Sequence, residues 1–226
     1  MAGLQLPRLY PIVDASQFSA APDPLTALLH FAEELIAGGA TLLQYRNKAL
    51  SPREALSHAR ELNRAVRGRA MLIMNDRVDL CLAAGFDGVH LGQDDLDPAD
   101  ARRIFETVTG GAQDQRESAK GQRHLWIGFS THNLAQAATA DALPVDYIAI
   151  GPVFPTASKG NPDPVIGLDG VTKVRRTTSK PLVAIGGITR GNCRQVLEAG
   201  ADSVAVIADL VDSPCKSTEA FLRILG

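Results

Sequence analysis

The sequence predicts an α/β chain closed into a (β/α)8 barrel, one domain spanning residues 1–226. Short apolar runs alternate eight times with longer amphipathic segments, the pattern of parallel strands joined by helical crossovers. Several runs end abruptly in acids, amides or glycines, so polar groups collect at one end of the sheet. A glycine pair follows the seventh run, at Ile185-Gly186-Gly187. An open doubly wound sheet, the structural runner-up, usually places its phosphate-binding glycines after the first strand instead.

Taken in order, Leu9 to Asp14 is the first strand, closed by an acid; Pro11 suits it poorly because proline brings no ladder donor. Asp23-Pro24 supplies an N-cap and a first-turn proline for a helix over 24–37, which Gly38-Gly39 ends. Residues 41–48 form the second strand, and Ser51-Pro52-Arg53-Glu54 opens the next helix with a capping signature, Gly68 stopping it. Strand three covers 70–75, a short helix 78–84 and strand four 88–91; Asp97-Pro98 then caps a helix to about residue 108. Residues 109–123 lack apolar periodicity and read as a solvated, mobile loop insertion on the face away from chemistry. Strand five (125–129) runs into Ser130-Thr131-His132-Asn133, and a helix to about Ala140 follows. Strand six (147–150) precedes a proline- and glycine-rich segment, 151–164, that reads as a lid. A helix at 168–178, strand seven (181–185), a helix at 189–199, strand eight (203–207) and a helix at 217–225 complete the chain.

Apolar residues make up 45% of the sequence and the net charge is −2. That is ordinary globular composition, without the basic excess of a nucleic-acid surface or a membrane anchor. No apolar run approaches the ~20 residues of a membrane span, and the first residues carry no signal-peptide core. Cys81, Cys193 and Cys215 have no metal-ligand spacing and are expected to be reduced thiols of a cytoplasmic protein. The expected partners are small molecules, and a homo-oligomer is allowed.

The chemistry gathers at the strand ends. Met71-Leu72-Ile73-Met74 runs into Asn75-Asp76, and Val89-His90-Leu91 runs into Gly92 and Asp94-Asp95. Magnesium keeps several waters and takes one or two carboxylates plus substrate phosphates, which makes Asp76 and Asp95 candidate Mg²⁺ ligands. Helix capping is the competing role for such acids and suits Asp79, Asp94 and Asp97 better. In the second strand Leu42, Gln44, Arg46 and Lys48 share one face, so an amide and two cations would line a barrel mouth; a solvent-facing edge strand is the alternative. Arg46, Lys48 and Lys159 could neutralise a departing diphosphate, with Thr156 and Ser158 adding hydroxyls. Gly186-Gly187 lets backbone approach a phosphate, and the N–H groups at the following helix start would face it. His90, alone on a strand, reads as a satisfied core residue. There is no Ser-His-Asp order and no His-rich metal motif.

In their order these motifs resemble the thiamine phosphate synthase family, over about residues 9 to 210. Gln44-Tyr45-Arg46-Asn47-Lys48 resembles that family's Gln-x-Arg-x-Lys segment, and Asn75-Asp76 its Asn-Asp pair. Gly88-Val89-His90-Leu91-Gly92-Gln93-Asp94-Asp95 resembles its Gly-(Val/Ile)-His-(Leu/Ile)-Gly-Gln-x-Asp run, and Gly151 through Lys159 its Gly-Pro-(Val/Ile)-(Phe/Tyr)-Pro-Thr-x-Thr-Lys loop. The resemblance implies that a hydroxymethylpyrimidine diphosphate joins a thiazole phosphate, giving thiamine phosphate and diphosphate, with Mg²⁺ assisting and the carbon–oxygen bond breaking first. It places Gln44, Tyr45, Arg46, Asn47, Lys48, Asn75, Ser130 and Lys159 on the pyrimidine diphosphate, with Lys159, Ser130 and Arg46 as the catalytic set. It places Asp76 and Asp95 on Mg²⁺, and Thr156, Ala157, Ser158, Gly187, Ile207 and Ala208 on the thiazole phosphate. Ser158 stands where threonine is usual, Ala208 where serine is frequent, and Asp209 beside an anion site is unexpected. The related thiazole tautomerase fits less well, given both Asp76 and Asp95 and Pro152 in the sixth loop. An inert phosphate-ligand binder would not need the intact Mg²⁺ set.

Overall fold

The computed structural model describes residues 6–110, 124–156 and 163–226. Its strands are β1 (Leu9–Asp14), β2 (Leu42–Arg46), β3 (Met71–Asn75), β4 (Gly88–Leu91), β5 (Trp126–Thr131), β6 (Tyr147–Ile150), β7 (Leu182–Ile185) and β8 (Ser203–Val206). All neighbours pair in parallel and in sequence order, β8 returning to β1, so the sheet is a closed TIM barrel. The helices α1 (Pro24–Ala37), α2 (Pro52–Val66), α3 (Val78–Ala84), α4 (Pro98–Gly110), α5 (Leu134–Asp141), α6 (Gly167–Arg175), α7 (Cys193–Glu198) and α8 (Pro214–Leu225) supply the crossovers. No helix of the described residues is long and apolar enough to cross a membrane.

The strand alternation separates two cores. Tyr10, Ile12, Leu42, Ile73, Tyr147, Ala149, Val183 and Ala205 fill the barrel interior. Their neighbours in sequence, such as Val13, Leu43, Leu72, Ile148 and Val204, meet the helix layer. Pro11 is accommodated because it sits where β1 hands its pairing over: its register with β8 runs to Pro11↔Val206, and that with β2 starts at Ile12↔Gln44. The predicted caps form. Asp23 accepts from Thr26 N at 3.1 Å, and Ser51 and Glu54 make a reciprocal capping box.

Three aspartates at the N-terminal rim repeat one device. Asp87, just before β4, accepts from Leu72 N of β3 at 2.8 Å. Asp146, before β6, accepts from Ile127 N of β5 at 2.7 Å. Asp202, before β8, accepts from Leu182 N of β7 at 2.7 Å. Each carboxylate satisfies an amide at the start of the preceding strand.

Some boundaries differ from the sequence reading, each for a local reason. α7 begins at Cys193 rather than Thr189; the residues before it form a turn held by side chains, Asn192 Oδ1 accepting from Thr189 N and Asp209 Oδ2 from Arg190 N, both at 2.8 Å. α8 starts a turn earlier than expected, with Pro214 in its first turn, and α6 stops at Arg175. β5 extends to Thr131, which puts Ser130 inside a strand rather than after it. Thr109 and Gly110 close α4 instead of opening the insertion. The rest of that insertion, 111–123, and lid residues 157–162 lie outside the described residues.

Candidate active site

A cavity of about 220 Å³ opens at the C-terminal ends of the strands, where barrels of this kind place their chemistry. Its wall includes Gln44, Arg46, Asn75, Ser130, Thr156, Gly187, Ile207 and Ala208, which the sequence reading had gathered from six separate stretches.

Beneath the cavity lies a continuous hydrogen-bonded chain. Gln44 Nε2 donates to Tyr10 Oη at 3.1 Å, and the Tyr10 and Tyr147 hydroxyls are 2.9 Å apart. Tyr147 Oη lies 3.1 Å from His90 Nδ1, and His90 Nε2 lies 2.8 Å from Ser130 Oγ. Burial pushes both phenols above their ordinary pKa and pushes His90 down to about 4, against a smaller opposing pull from Asp76. The phenols therefore stay protonated and the imidazole neutral near pH 7. His90 is a satisfied core histidine, as read, and also part of the cavity wall. Tyr10 and Tyr147 escaped the sequence reading because an aromatic residue on an apolar strand looks like core; only their alternation onto the face of Gln44 and His90 could have marked them.

On the β2–β4 side the charges pair. Arg46 Nη1 is bonded to the Asp14 carboxylate at the end of β1, a buried acid that only its place at a strand end flagged. Lys48 Nζ is bonded to Asp76. Asp76 holds a left-handed backbone, φ +63°, which an aspartate tolerates better than most residues. Asp95 Oδ2 accepts from Gly92 N at 2.7 Å. Burial first, and then the Asp76 carboxylate beside it, raise the Asp95 carboxyl, while the Gly92 N–H opposes the rise. Lys48, Asp76 and Asp95 thus form a rim next to Asn75 rather than part of the cavity wall. The two acids could hold a hard cation, which would relieve their crowding; among the described residues no third His, Cys, Asp or Glu completes a protein cage. Asn75 itself keeps a buried side-chain N–H group without a partner, a donor ready for a ligand acceptor.

Tyr45 and Asn47 are not brought to the cavity. They alternate outward: Tyr45 packs against Phe86 at 6.5 Å between ring centroids, and Asn47 bonds the Tyr45 hydroxyl and the amides of Ala49 and Leu50. Ala157, Ser158 and Lys159 lie outside the described residues.

On the β7–β8 side the backbone closes in. Gly186 and Gly187 have φ of +102° and +63°, and a Cβ on Gly187 would come within 2.5 Å of Pro155 O. The glycines are needed both for the turn and for the close approach of the sixth loop. Since the amides of Thr189 and Arg190 are already bonded to Asn192 and Asp209, the expected helix-start donors are not free. A phosphate here would meet the Gly187 and Ala208 segments instead. Asp209, unexpected in the sequence, is neutralised by a two-pronged Arg190 contact, Nε to Oδ2 at 3.0 Å and Nη2 to Oδ1 at 3.1 Å. That pair ties the loop after β7 to the turn after β8. His132, a second wall residue the sequence reading left without a role, places Nδ1 3.0 Å from Gly151 O and 3.3 Å from Asp163 Oδ2.

Fold and site together define a (β/α)8-barrel enzyme acting on small molecules at the C-terminal mouth. Residues 9–210 match the model of the thiamine monophosphate synthase family, and the chain belongs to that family. Its activity is thiamine-phosphate synthesis, a transferase reaction of thiamine biosynthesis. It is 57% identical to the thiamine-phosphate synthase of Koribacter versatilis over 224 residues, 99% of this chain and 98% of the relative. It is 42% identical to that of Agrobacterium fabrum, over 89% of this chain and 84% of the relative. A solved thiamine phosphate pyrophosphorylase from Pyrococcus furiosus superposes with a TM-score of 0.77 at 32% identity, covering 96% of this chain and 95% of its own.

Proposed function

We propose that the cavity joins 4-amino-2-methyl-5-hydroxymethylpyrimidine diphosphate to 4-methyl-5-(2-phosphooxyethyl)thiazole, or its carboxylated form, releasing diphosphate. The observation that carries this reading is the two-poled mouth: cations and paired acids on β2–β4, and glycine-lined backbone on β7–β8, across one cavity. Two anionic groups fit two poles, and the heterocycles lie between them over Gln44, Asn75 and Ser130. Asp76 and Asp95 would hold Mg²⁺, which supplies charge neutralisation to the leaving diphosphate.

Arg46 is fixed by buried Asp14, so its remaining donors meet a diphosphate oxygen without reorganisation. Asn75 offers its unpartnered N–H group to a ligand acceptor. Ser130 has no carboxylate–histidine relay behind it: the imidazole it contacts is neutral, and its other nitrogen is taken by a phenol. Oriented donors without an activated nucleophile suit a substitution in which the pyrimidine methylene–oxygen bond breaks before the thiazole nitrogen attacks. Lys159, carried over from the motif, would meet the departing diphosphate; Lys159→Ala is expected to slow bond breaking more than it weakens thiazole binding.

The test is direct. Protein, both substrates and Mg²⁺ are mixed, and thiamine phosphate is followed by mass and by fluorescence after oxidation. Mg²⁺-dependent product is expected. Absence of product while both ligands bind would overturn the substrate assignment.

A further inference from the structure

The buried chain from Gln44 to Ser130 has a direction, and counting its protons shows why. Four contacts link five groups: Gln44–Tyr10, Tyr10–Tyr147, Tyr147–His90 and His90–Ser130. Two neutral phenols, one neutral imidazole and one hydroxyl carry one mobile proton each. If Gln44 Nε2 donates the first bond, Tyr10 fills the second, Tyr147 the third, and His90 Nε2–H the fourth. The Ser130 proton is then left over and must point elsewhere. If Gln44 instead accepts, every proton moves one bond back. His90 then carries its proton on Nδ1, and Ser130 spends its own on His90.

We propose that Tyr10, Tyr147 and His90 are positioning residues: a one-way hydrogen-bond relay from Gln44 fixes His90 as the Nε2–H tautomer and turns the Ser130 hydroxyl into the cavity as a donor. The inference rests on the reading above only in that a ligand oxygen waits there to accept it. An anionic oxygen needs a donor, and the reversed chain would show it a lone pair.

The molecule is built around this line. Tyr147 stacks on His90 with centroids 5.6 Å apart and meets Tyr10 edge-on at 6.1 Å. Gly128 leaves room for it, since a Cβ there would lie 2.1 Å from Tyr147 Cζ. The relay groups of Tyr10, Gln44, His90 and Tyr147 are all buried, which keeps bulk water from scrambling the order.

The tautomer is read without substrate, by long-range ¹H–¹⁵N correlation on histidine-labelled protein near pH 7, with His90 assigned from a His90→Gln variant. Wild-type His90 is expected to be protonated at Nε2 and bare at Nδ1; an Nδ1-protonated ring would overturn the proposal with no engineered variant involved. Gln44→Glu, measured at a pH where the new carboxylate is ionised, has no proton to donate, so the relay reverses and His90 switches to Nδ1–H. In Tyr147→Phe/Gln44→Glu the link is cut, and the Nε2–H form is expected to return. A tautomer unchanged by Gln44→Glu in a folded protein also overturns the relay. Failure of the substrate assignment would appear only in the product assay and would leave these spectra as they are.

Discussion

Asp76 separates charge from backbone, and replacing it in two ways tests the rim. Its left-handed φ of +63° costs most residues about 1–2 kcal/mol, but asparagine takes that conformation almost as readily as aspartate. Asp76→Asn therefore removes the charge and spares the turn, whereas Asp76→Ala removes both. The lost Lys48 contact is worth little, because the lysine side chain is 55% exposed and such pairs contribute about 0–1 kcal/mol. Relief from the neighbouring Asp95 carboxylate offsets part of it. The net change for Asp76→Asn is then within about 1 kcal/mol, a melting shift of no more than ~4 °C for a domain of this size. Asp76→Ala should melt a further ~2–8 °C lower through the backbone term. Turnover is expected to fall together in both variants, by roughly 10²–10³-fold, as when one group stabilising a developing charge is lost. The assays are thermal melts with and without Mg²⁺ plus diphosphate, and single-turnover product formation. The wild type is expected to gain thermal stability from Mg²⁺ with diphosphate, and both variants to lose that gain. An Asp76→Asn enzyme that keeps this stabilisation and turns over within tenfold of wild type would refute the metal role, and equal melting of the two variants would refute the backbone argument.

Three further outcomes are expected. Asp209→Ala should loosen the tie between the loops after β7 and β8, raising KM for the thiazole phosphate by ~5–30-fold, or about 1–2 kcal/mol, with KM for the pyrimidine diphosphate unchanged; equal effects on both would count against a β7–β8 phosphate seat. His90 is buried neutral with its pKa near 4 against an ordinary 6.5, so the unfolded chain takes up the proton first as pH falls. Its contribution is whole above about pH 6.5 and is lost progressively toward pH 4, by about 3 kcal/mol; urea unfolding at several pH values should show this slope, and His90→Gln should lack it. Gly128→Ala places a methyl against Tyr147 and should cost at least ~1–3 kcal/mol by overpacking, read as a lowered denaturation midpoint.

The barrel was legible because its elements are locally consistent: β1, α1, α3, β4 and β6 fall on the residues that their caps, glycines and apolar runs announce. Less legible was anything decided by contact between distant strands. Gln44 and Arg46 could be placed by alternation within one strand, but the partner of Arg46, Asp14, lies 32 residues away on β1. The Tyr10–Tyr147 bond joins residues 137 apart and leaves no trace in local pattern. The turn ahead of α7 is likewise held from a distance, by Asp209 beyond β8, 19 residues from the Arg190 amide it binds.

The three rim aspartates carry an implication for how the molecule is composed. Each couples two successive strands: β3 with β4, β5 with β6, and β7 with β8. Cutting the polypeptide between α4 and β5 would part the β1–β4 half from the β5–β8 half, yet separate none of these carboxylates from the amide it holds. Three of the four successive strand pairs are thus βαβ units that seal themselves at the base. The opposite face can then give its loops and charges to the site, adding only the ties the site itself uses, Arg46 to Asp14 and Arg190 to Asp209.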